Sequence, residues 1–146
     1  MKKNISILAT LLFALTVSVS AQAKKYPEIK FEKTTIDLGV FSQDEPIRKC
    51  VFKFTNVGKA PLIINYVHPS CGCTDAQYPK EPIAPGASGE ISVTYDGTGK
   101  MPGPMSKYVQ VFTNCKNDLT RIFIKGEMTA MHSDAVKESG KDAEKK

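Results

Sequence analysis

Apolar and polar residues alternate with a period of two along the body of the chain, and no stretch there shows the longer period of an amphipathic helix. The clearest alternation covers residues 90–95, and a second set of apolar residues shares one parity within residues 47–56. These residues are Ile91, Val93 and Tyr95 in the one segment and Cys50, Phe52 and Phe54 in the other. A period of two is that of a β-strand with one buried face, so the pattern predicts an all-β domain.

About seven such segments, separated by turn-forming residues, make up the predicted strands. They span approximately residues 28–38, 46–56, 61–68, 72–78, 88–96, 106–114 and 119–128. We expect the first to be split near Lys33 and Thr34, and the third, which has apolar residues of both parities, to be covered on both faces. Pro85-Gly86 fits the centre of a type II turn, where glycine takes a positive φ, and residues 96–99 predict a hairpin turn. This arrangement is typical of an immunoglobulin-like β-sandwich.

Length and composition agree with one small domain. The chain has 146 residues, of which 41% are hydrophobic and 24% charged, and these proportions are ordinary for a globular domain. It is too short for a TIM barrel, which needs about 250 residues. The net charge is +5, but Arg48 and Arg121 are the only arginines in the sequence. Because arginine is the side chain that clamps phosphate with two hydrogen bonds, nucleic-acid binding is not expected.

The first 23 residues have the features of a secretory signal peptide. Lys2 and Lys3 give a positive start, and the apolar run Ile5–Val19 is shorter than the roughly 20 residues of a membrane span. Ala21 and Ala23 place small residues where a signal peptidase cleaves. We expect cleavage after Ala23 to deliver the rest of the chain to the periplasm or cell envelope, without a stable membrane span.

The composition changes again after residue 131. Residues 132–146 contain a single branched aliphatic residue, Val136, among charges of both signs. Such a segment buries too little apolar surface to fold. The predicted organisation is therefore a signal peptide over residues 1–23, an immunoglobulin-like domain over residues 24–131 and a disordered charged tail over residues 132–146.

Several short motifs give the body of the chain a resemblance to a known bacterial family. They are Phe52-Lys-Phe-Thr-Asn56, Gly58-Lys-Ala-Pro-Leu62, Ser70-Cys-Gly-Cys-Thr74, Ile83-Ala-Pro-Gly86, Gly89-Glu-Ile-Ser-Val93 and Thr113-Asn114. With these motifs, residues 31–128 resemble the family catalogued as domain of unknown function 1573, and the Ser-Cys-Gly-Cys-Thr segment is the most specific part. The resemblance implies an exported protein of a Gram-negative bacterium with a sandwich similar to PapD and major-sperm-protein domains. It implies no activity, and Cys115 and His68 lie outside the family pattern.

Four cysteines in an exported chain can form disulfides, because the compartment is oxidising. Connections in an immunoglobulin-like sandwich alternate between its two ends, which places Cys50, Cys71 and Cys73 at one end and Cys115 at the other. The ends are separated by about 20 Å of strand, whereas a disulfide needs Cα atoms within about 7 Å. Cys115 is therefore predicted to be free or to pair with another chain.

The Cys71-Gly72-Cys73 segment has a redox interpretation and a structural one. A disulfide across a single glycine would suit thiol exchange, and Gly72 would ease its backbone. If Gly72 takes a positive φ, its replacement by Val would cost about 1–3 kcal/mol. In the structural interpretation the sulfurs pack beneath the loop, or one of them bonds to Cys50.

A third interpretation of the same segment is a soft-metal site. Two thiolates from one tight turn suit Cu(I) or Zn, and His68 lies just upstream of them. Met101 and Met105 are predicted to reach the same end of the sandwich, and thioethers also favour Cu(I).

The sequence contains no phosphate-binding loop, paired-histidine zinc motif or serine nucleophile elbow. The principal hypothesis is a non-enzymatic binding or scaffolding module of the cell envelope, without a cofactor, that uses strand edges or end loops to bind a protein or a glycan. The alternative is a thiol-redox or Cu(I)-handling protein that works through Cys71 and Cys73.

Overall fold

The structure is a computed structural model that describes residues 25–132. The predicted signal peptide with its cleavage site at Ala23, and all of the predicted tail except His132, lie outside the described residues. Eight strands follow one another within the described part. They are β1 (Ile29–Phe31), β2 (Thr35–Ser42), β3 (Ile47–Asn56), β4 (Ile64–Pro69), β5 (Thr74–Gln77), β6 (Ser88–Asp96), β7 (Gly103–Thr113) and β8 (Leu119–Thr129). Within residues 25–132, no helix is long and apolar enough to cross a membrane.

The strands form two four-stranded sheets that enclose one core. The first sheet has the order β1-β3-β6-β5, with every pair antiparallel. The second sheet has the order β2-β8-β7-β4, in which β2 and β8 run parallel and the other pairs are antiparallel. The predicted immunoglobulin-like β-sandwich is thus confirmed.

The structure confirms one detail of the predicted strands and corrects two others. The first predicted strand is split as expected, into β1 and β2, and its two parts lie in different sheets, which makes eight strands in the described part. The third has one buried face, but a register shift between Ile64 and Tyr66 changes its parity. Ile64 is buried, Tyr66 is 50% exposed, and Val67 packs against the core. The segment after Asp96 turns as expected, with the Thr98 amide donating to Asp96 Oδ1 at 2.9 Å. It is not a hairpin, however, because β6 and β7 belong to different sheets.

The core is formed largely by the apolar residues that alternate along the strands, as the sequence pattern predicts. Phe52 and Phe54 on β3 face Ile122 and Ile124 on β8 across the sandwich, and each of the four is at most 1% exposed. The remaining buried apolar residues are Phe41, Leu62, Ile64, Ile83, Ile91, Val93, Tyr95, Val109, Val111 and Met128. Burial of this set is the main stabilising term of the fold.

One buried polar side chain, Asn56, holds together the end of the sandwich opposite Cys71. Its Nδ2 donates to the carbonyl oxygens of Ala60 and Ile83, each at 2.9 Å, and its Oδ1 accepts from the Gly58 amide at 3.0 Å. The Asn56 carbonyl accepts from the Gly86 amide at 2.7 Å. Gly86 has a φ of 79°, which confirms the predicted type II turn.

Candidate functional site

The Cys-Gly-Cys segment forms a tight turn that carries the chain from the second sheet to the first. The Thr74 amide donates to the Cys71 carbonyl at 3.2 Å and so closes the turn. On one side the Ser70 amide donates to the Tyr108 carbonyl at 2.9 Å, and on the other the Asp96 amide donates to the Cys73 carbonyl at 2.8 Å. The turn is therefore fixed to both sheets and cannot move as a free loop.

A disulfide joins Cys71 and Cys73, whose Cα atoms are 5.2 Å apart. Both side chains are half-buried, whereas Gly72 between them is exposed. The buried Thr74 hydroxyl lies 3.5 Å from Cys71 Sγ and 3.9 Å from Cys73 Sγ. The two sulfurs thus sit at the boundary between solvent and core, above a hydroxyl that can bond weakly to either of them.

Gly72 does not have the positive φ that would make its substitution costly. A Cβ placed on it would also meet no heavy atom within 4 Å. The turn therefore accommodates an L side chain, and the expected cost of a substitution at Gly72 is withdrawn. The disulfide closes without help from a left-handed residue.

An open cleft of about 440 Å³ lies beside the disulfide. Both cysteines line it, together with Met101, Met105 and the buried Met128. Lys100, Lys107 and Tyr95 contribute to the same wall. The loop between β6 and β7 and the start of β7 thus bring the two predicted methionines to the cysteines, and the last strand adds a third thioether.

His68 is not part of this cleft. It lies within β4, where it pairs with Gln110 of β7, and it is exposed. It shares the parity of Tyr66, which is 50% exposed, whereas Val67 between them packs against the core. The predicted participation of His68 with Cys71 and Cys73 is therefore not supported by the structure.

Cys50 is also separated from the disulfide. It lies on β3, and β6 stands between β3 and β5. Two strand spacings amount to about 9.5 Å, beyond the roughly 7 Å that a disulfide tolerates. Cys50 is a free thiol whose side chain packs against the core, and this burial raises its pKa from 9.0 to about 11. The interpretation in which it bonds to Cys71 or Cys73 is not what the structure shows.

Cys115 lies at the other end of the sandwich, as the topology predicts. It is a free, half-buried thiol in a separate open cleft of about 600 Å³, next to Tyr26 and Ile29. Ile29 pairs with Asn56 at the end of β3 that is far from Cys50. No contact of Cys115 with the disulfide cleft is possible across this length of strand.

Across residues 25–132, no group of three or more His, Cys, Asp and Glu side chains is arranged to hold a metal ion. The ligand set with nitrogen and oxygen donors that Zn commonly takes is therefore not assembled around the cysteines in the described part of the chain. The side chains that line the cleft beside the disulfide include three methionines and two lysines, together with Tyr95 and Ser106.

A second surface of interest was not identified from the sequence. Four aromatic residues share the outer face of the second sheet, and we call this surface the aromatic face. It consists of Tyr66, Tyr108, Phe112 and Phe123. Tyr66 stacks on Phe112 with ring centroids 4.2 Å apart, and Tyr108 lies 6.3 Å from Phe123. Tyr66 and Tyr108 are 50% and 40% exposed. The period-two pattern contains these residues, but it does not show which face of a strand remains uncovered.

Solved structures place the fold in a defined class. The chain is similar to the ASH / PapD-like domain of human CEP192, at 9% identity and a TM-score of 0.55, with 81% of this chain and 97% of that chain covered. It is also similar to the YadV chaperone, at 16% identity and a TM-score of 0.51, with 73% and 54% covered. The protein is thus an immunoglobulin-like domain of the PapD-like kind.

The chain belongs to the DUF1573 family, described as a protein of unknown function, whose sequence profile matches residues 29–128. A protein of unknown function from Porphyromonas gingivalis has the same fold, at 22% identity and a TM-score of 0.57, with 75% of this chain and 50% of that chain covered. The chain thus spans half the length of that protein. A search of curated proteins finds no sequence match.

Proposed function

We propose that this protein is a non-enzymatic binding module of the cell envelope and that its aromatic face binds a protein partner. The observation that carries the proposal is the exposure of Tyr66 and Tyr108 on a face with two further aromatic rings. Tyrosine and phenylalanine are enriched at the centres of protein interfaces, because they bury a large area with few rotatable bonds. A cluster of exposed aromatic rings on one face is more typical of a surface that binds a partner than of a surface that only faces solvent.

The position of β4 supports the same proposal. Among residues 25–132 it is an edge strand of the second sheet, and it carries Tyr66, so the aromatic face continues to a strand edge that no other described strand pairs with. An extended segment of a partner can add to such an edge through main-chain hydrogen bonds while its side chains meet the rings. The similarity to the YadV chaperone is consistent with protein binding by this fold.

We also propose that the chain is exported and cleaved after Ala23, on the basis of the charged start, the apolar run and the small residues at the cleavage site. Expression of the full chain in a Gram-negative host should yield a periplasmic product that begins at Lys24. The mass of the intact protein and the fractionation of the cells test this. A product that retains residues 1–23 in the membrane fraction would contradict it.

The binding proposal is tested with two matched double variants of the purified protein. Tyr66→Ser/Tyr108→Ser alters the aromatic face, and Ile47→Ser/Val51→Ser alters residues of similar exposure, 53% and 42%, on the outside of the first sheet. Each bait is incubated with envelope extract, and circular dichroism checks that both are folded. We expect a defined protein to be retained by the parent and by the control, and lost from the tyrosine variant.

Two outcomes would contradict the binding proposal. Equal retention by both variants would show that the aromatic face is not the binding surface. Retention of material that survives protease treatment of the extract would identify a glycan as the ligand in place of a protein.

A second candidate function is thiol–disulfide exchange at Cys71 and Cys73, favoured by the disulfide at the boundary between solvent and core. A thiolate of a partner dithiol would attack one of these sulfurs to form a mixed disulfide, and the second partner thiol would then release it. The partner leaves with a disulfide, and the two electrons and two protons it has lost convert Cys71 and Cys73 to thiols.

Alkylation under native conditions tests this second candidate. Incubation with dithiothreitol followed by iodoacetamide should add two labels at Cys71 and Cys73, identified by peptide mass. The Cys71→Ser/Cys73→Ser variant should lack them. A disulfide that opens only after unfolding would contradict exchange and support a purely structural role.

A further inference from the structure

Sulfur is concentrated at one place in this molecule. Two of the four cysteines and three of the five methionines line the cleft beside the β4–β5 turn. Met105 is the third residue of β7 and is half-buried against the core, while Met101 is 85% exposed on the loop that precedes this strand. Met128 is 2% exposed and belongs to the core. The cleft therefore offers one fixed thioether, one that can move, and the two cysteine sulfurs.

Reduction changes what this cleft can bind. In the disulfide, neither cysteine offers a thiolate. When a dithiol supplies two electrons and two protons, Cys71 and Cys73 become thiols held on one turn, with Cα atoms 5.2 Å apart in the disulfide form. Thiolates are soft ligands that bind Cu(I) and Zn(II), and thioethers beside them favour Cu(I). The Lys100 and Lys107 ammonium groups of the same cleft can offset the negative charge of two bound thiolates.

The same ligand set argues against zinc. Structural zinc sites complete a tetrahedron with cysteine, histidine or carboxylate ligands, and His68 faces away from the cleft. Apart from the hydroxyls of Tyr95 and Ser106, the additional donors that line the cleft are thioethers, which favour Cu(I).

We infer that the reduced protein binds one Cu(I) through Cys71, Cys73 and the thioether of Met105, with Met101 closing the site, and that disulfide formation abolishes the site. Binding releases the two thiol protons and leaves the oxidation state of the metal unchanged. The inference depends on the reducibility of the disulfide, which is the second candidate function above.

The experiment uses the protein from Lys24 to Lys146 in a Cys50→Ala/Cys115→Ser background, so that Cys71 and Cys73 are the only cysteines. Cu(I) is presented anaerobically as its complex with bathocuproine disulfonate, whose colour reports the metal that the protein removes. We expect one equivalent to be withdrawn by the dithiol form and none by the disulfide form or by Cys71→Ser/Cys73→Ser.

The methionines are tested separately from the cysteines. Met105→Leu keeps the volume and removes the sulfur, and it should weaken Cu(I) binding at least about tenfold, since the loss of a group that only supports a metal site costs about 10–100-fold. Met131→Leu is the matched control, because Met131 is exposed and does not line the cleft. X-ray absorption of the loaded protein should show sulfur ligands alone.

The possible failures are distinguishable. Thiol titration of the dithiothreitol-treated protein is done first. If no thiols appear at Cys71 and Cys73, both the exchange proposal and the copper inference are overturned. If two thiols appear but the dithiol form removes no more Cu(I) than the disulfide form, only the copper inference is overturned. Equal affinities of the Met105→Leu and Met131→Leu variants would overturn the role of the thioether.

Discussion

At the scale of single residues, the motifs that carry the family resemblance divide into two kinds. Asn56, Gly58 and Leu62 have evident structural roles, because each is buried or closely packed at the end of the sandwich that the Asn56 side chain holds together. Cys71 and Cys73 are half-buried, and Cys73 packs against the core without belonging to its fully buried set. The residues of the first kind are explained by their contribution to stability. A chemical function is to be expected at Cys71 and Cys73.

The first prediction concerns Asn56. Asn56→Leu takes the side-chain donor from the Ala60 carbonyl and the acceptor from the Gly58 amide, and it removes one of the two donors to the Ile83 carbonyl. Groups left without partners at this end of the sandwich make the substitution cost about 2–4 kcal/mol of unfolding free energy. Asn114→Leu is the matched control, because Asn114 makes similar bonds to the Ile63 amide and the Pro61 carbonyl but is exposed. Water can replace those bonds, so a loss below about 1 kcal/mol is expected. Urea titration measures both values, and equal losses would refute the argument.

The second prediction concerns the Cys50 thiol, whose pKa is raised to about 11 by burial. Only the thiolate reacts with iodoacetamide, so at pH 8 labelling of Cys50 should be about 100-fold slower in the folded than in the unfolded chain. The rate should rise with pH up to pH 11. Because the unfolded thiol ionises first, the unfolding free energy should fall as pH rises from 9 to 11. A folded-state rate equal to the unfolded one would show that the thiol is not buried.

At the scale of elements, the sequence predicted the strands better than their partners. Parity alone placed Phe52, Phe54 and Val93 in the core, because a one-residue slip would turn all of them to solvent. It could not show that the first strand changes sheets after Phe31, because β1 and β2 keep the same period. It also could not separate His68 from the cysteines, because a register shift between Ile64 and Tyr66 puts Tyr66 and His68 on the face opposite to that of Ile64.

The third prediction compares two turns. A Cβ on Gly58 would overlap the backbone of residues 26–28, whereas a Cβ on Gly72 meets nothing within 4 Å. Gly58→Ala should therefore cost about 1–3 kcal/mol through overpacking, and Gly72→Ala should stay within about 0.5 kcal/mol of the parent. Thermal and urea unfolding of the two variants, measured side by side, provide the comparison. A large loss at Gly72 would mean that the Cys71–Cys73 turn has a different backbone from the one described.

At the scale of the whole molecule, we expect the sandwich to remain folded without its disulfide. The two sheets share a core of apolar residues from β2 to β8, and none of its fully buried members is a cysteine. The disulfide closes a loop of three residues, and the chain entropy removed by so short a loop is worth at most about 1.5 kcal/mol. A molecule built in this way can lose and regain the bond while it remains folded, which is the condition that both the exchange and the copper proposals require.

The fourth prediction follows from this independence. Dithiothreitol treatment, or the Cys71→Ser/Cys73→Ser substitution, should lower the unfolding free energy by no more than about 1.5 kcal/mol and leave the circular dichroism of the sheets unchanged. The two treatments should agree, because each removes only the bond. A loss well beyond this range would make the disulfide a structural staple, since the reduced chain would no longer be folded when a partner thiol or Cu(I) reached it. A loss within this range would show that the fold does not require the bond. Two cysteines beside three methionines are then better explained by exchange with a partner thiol or by the binding of Cu(I).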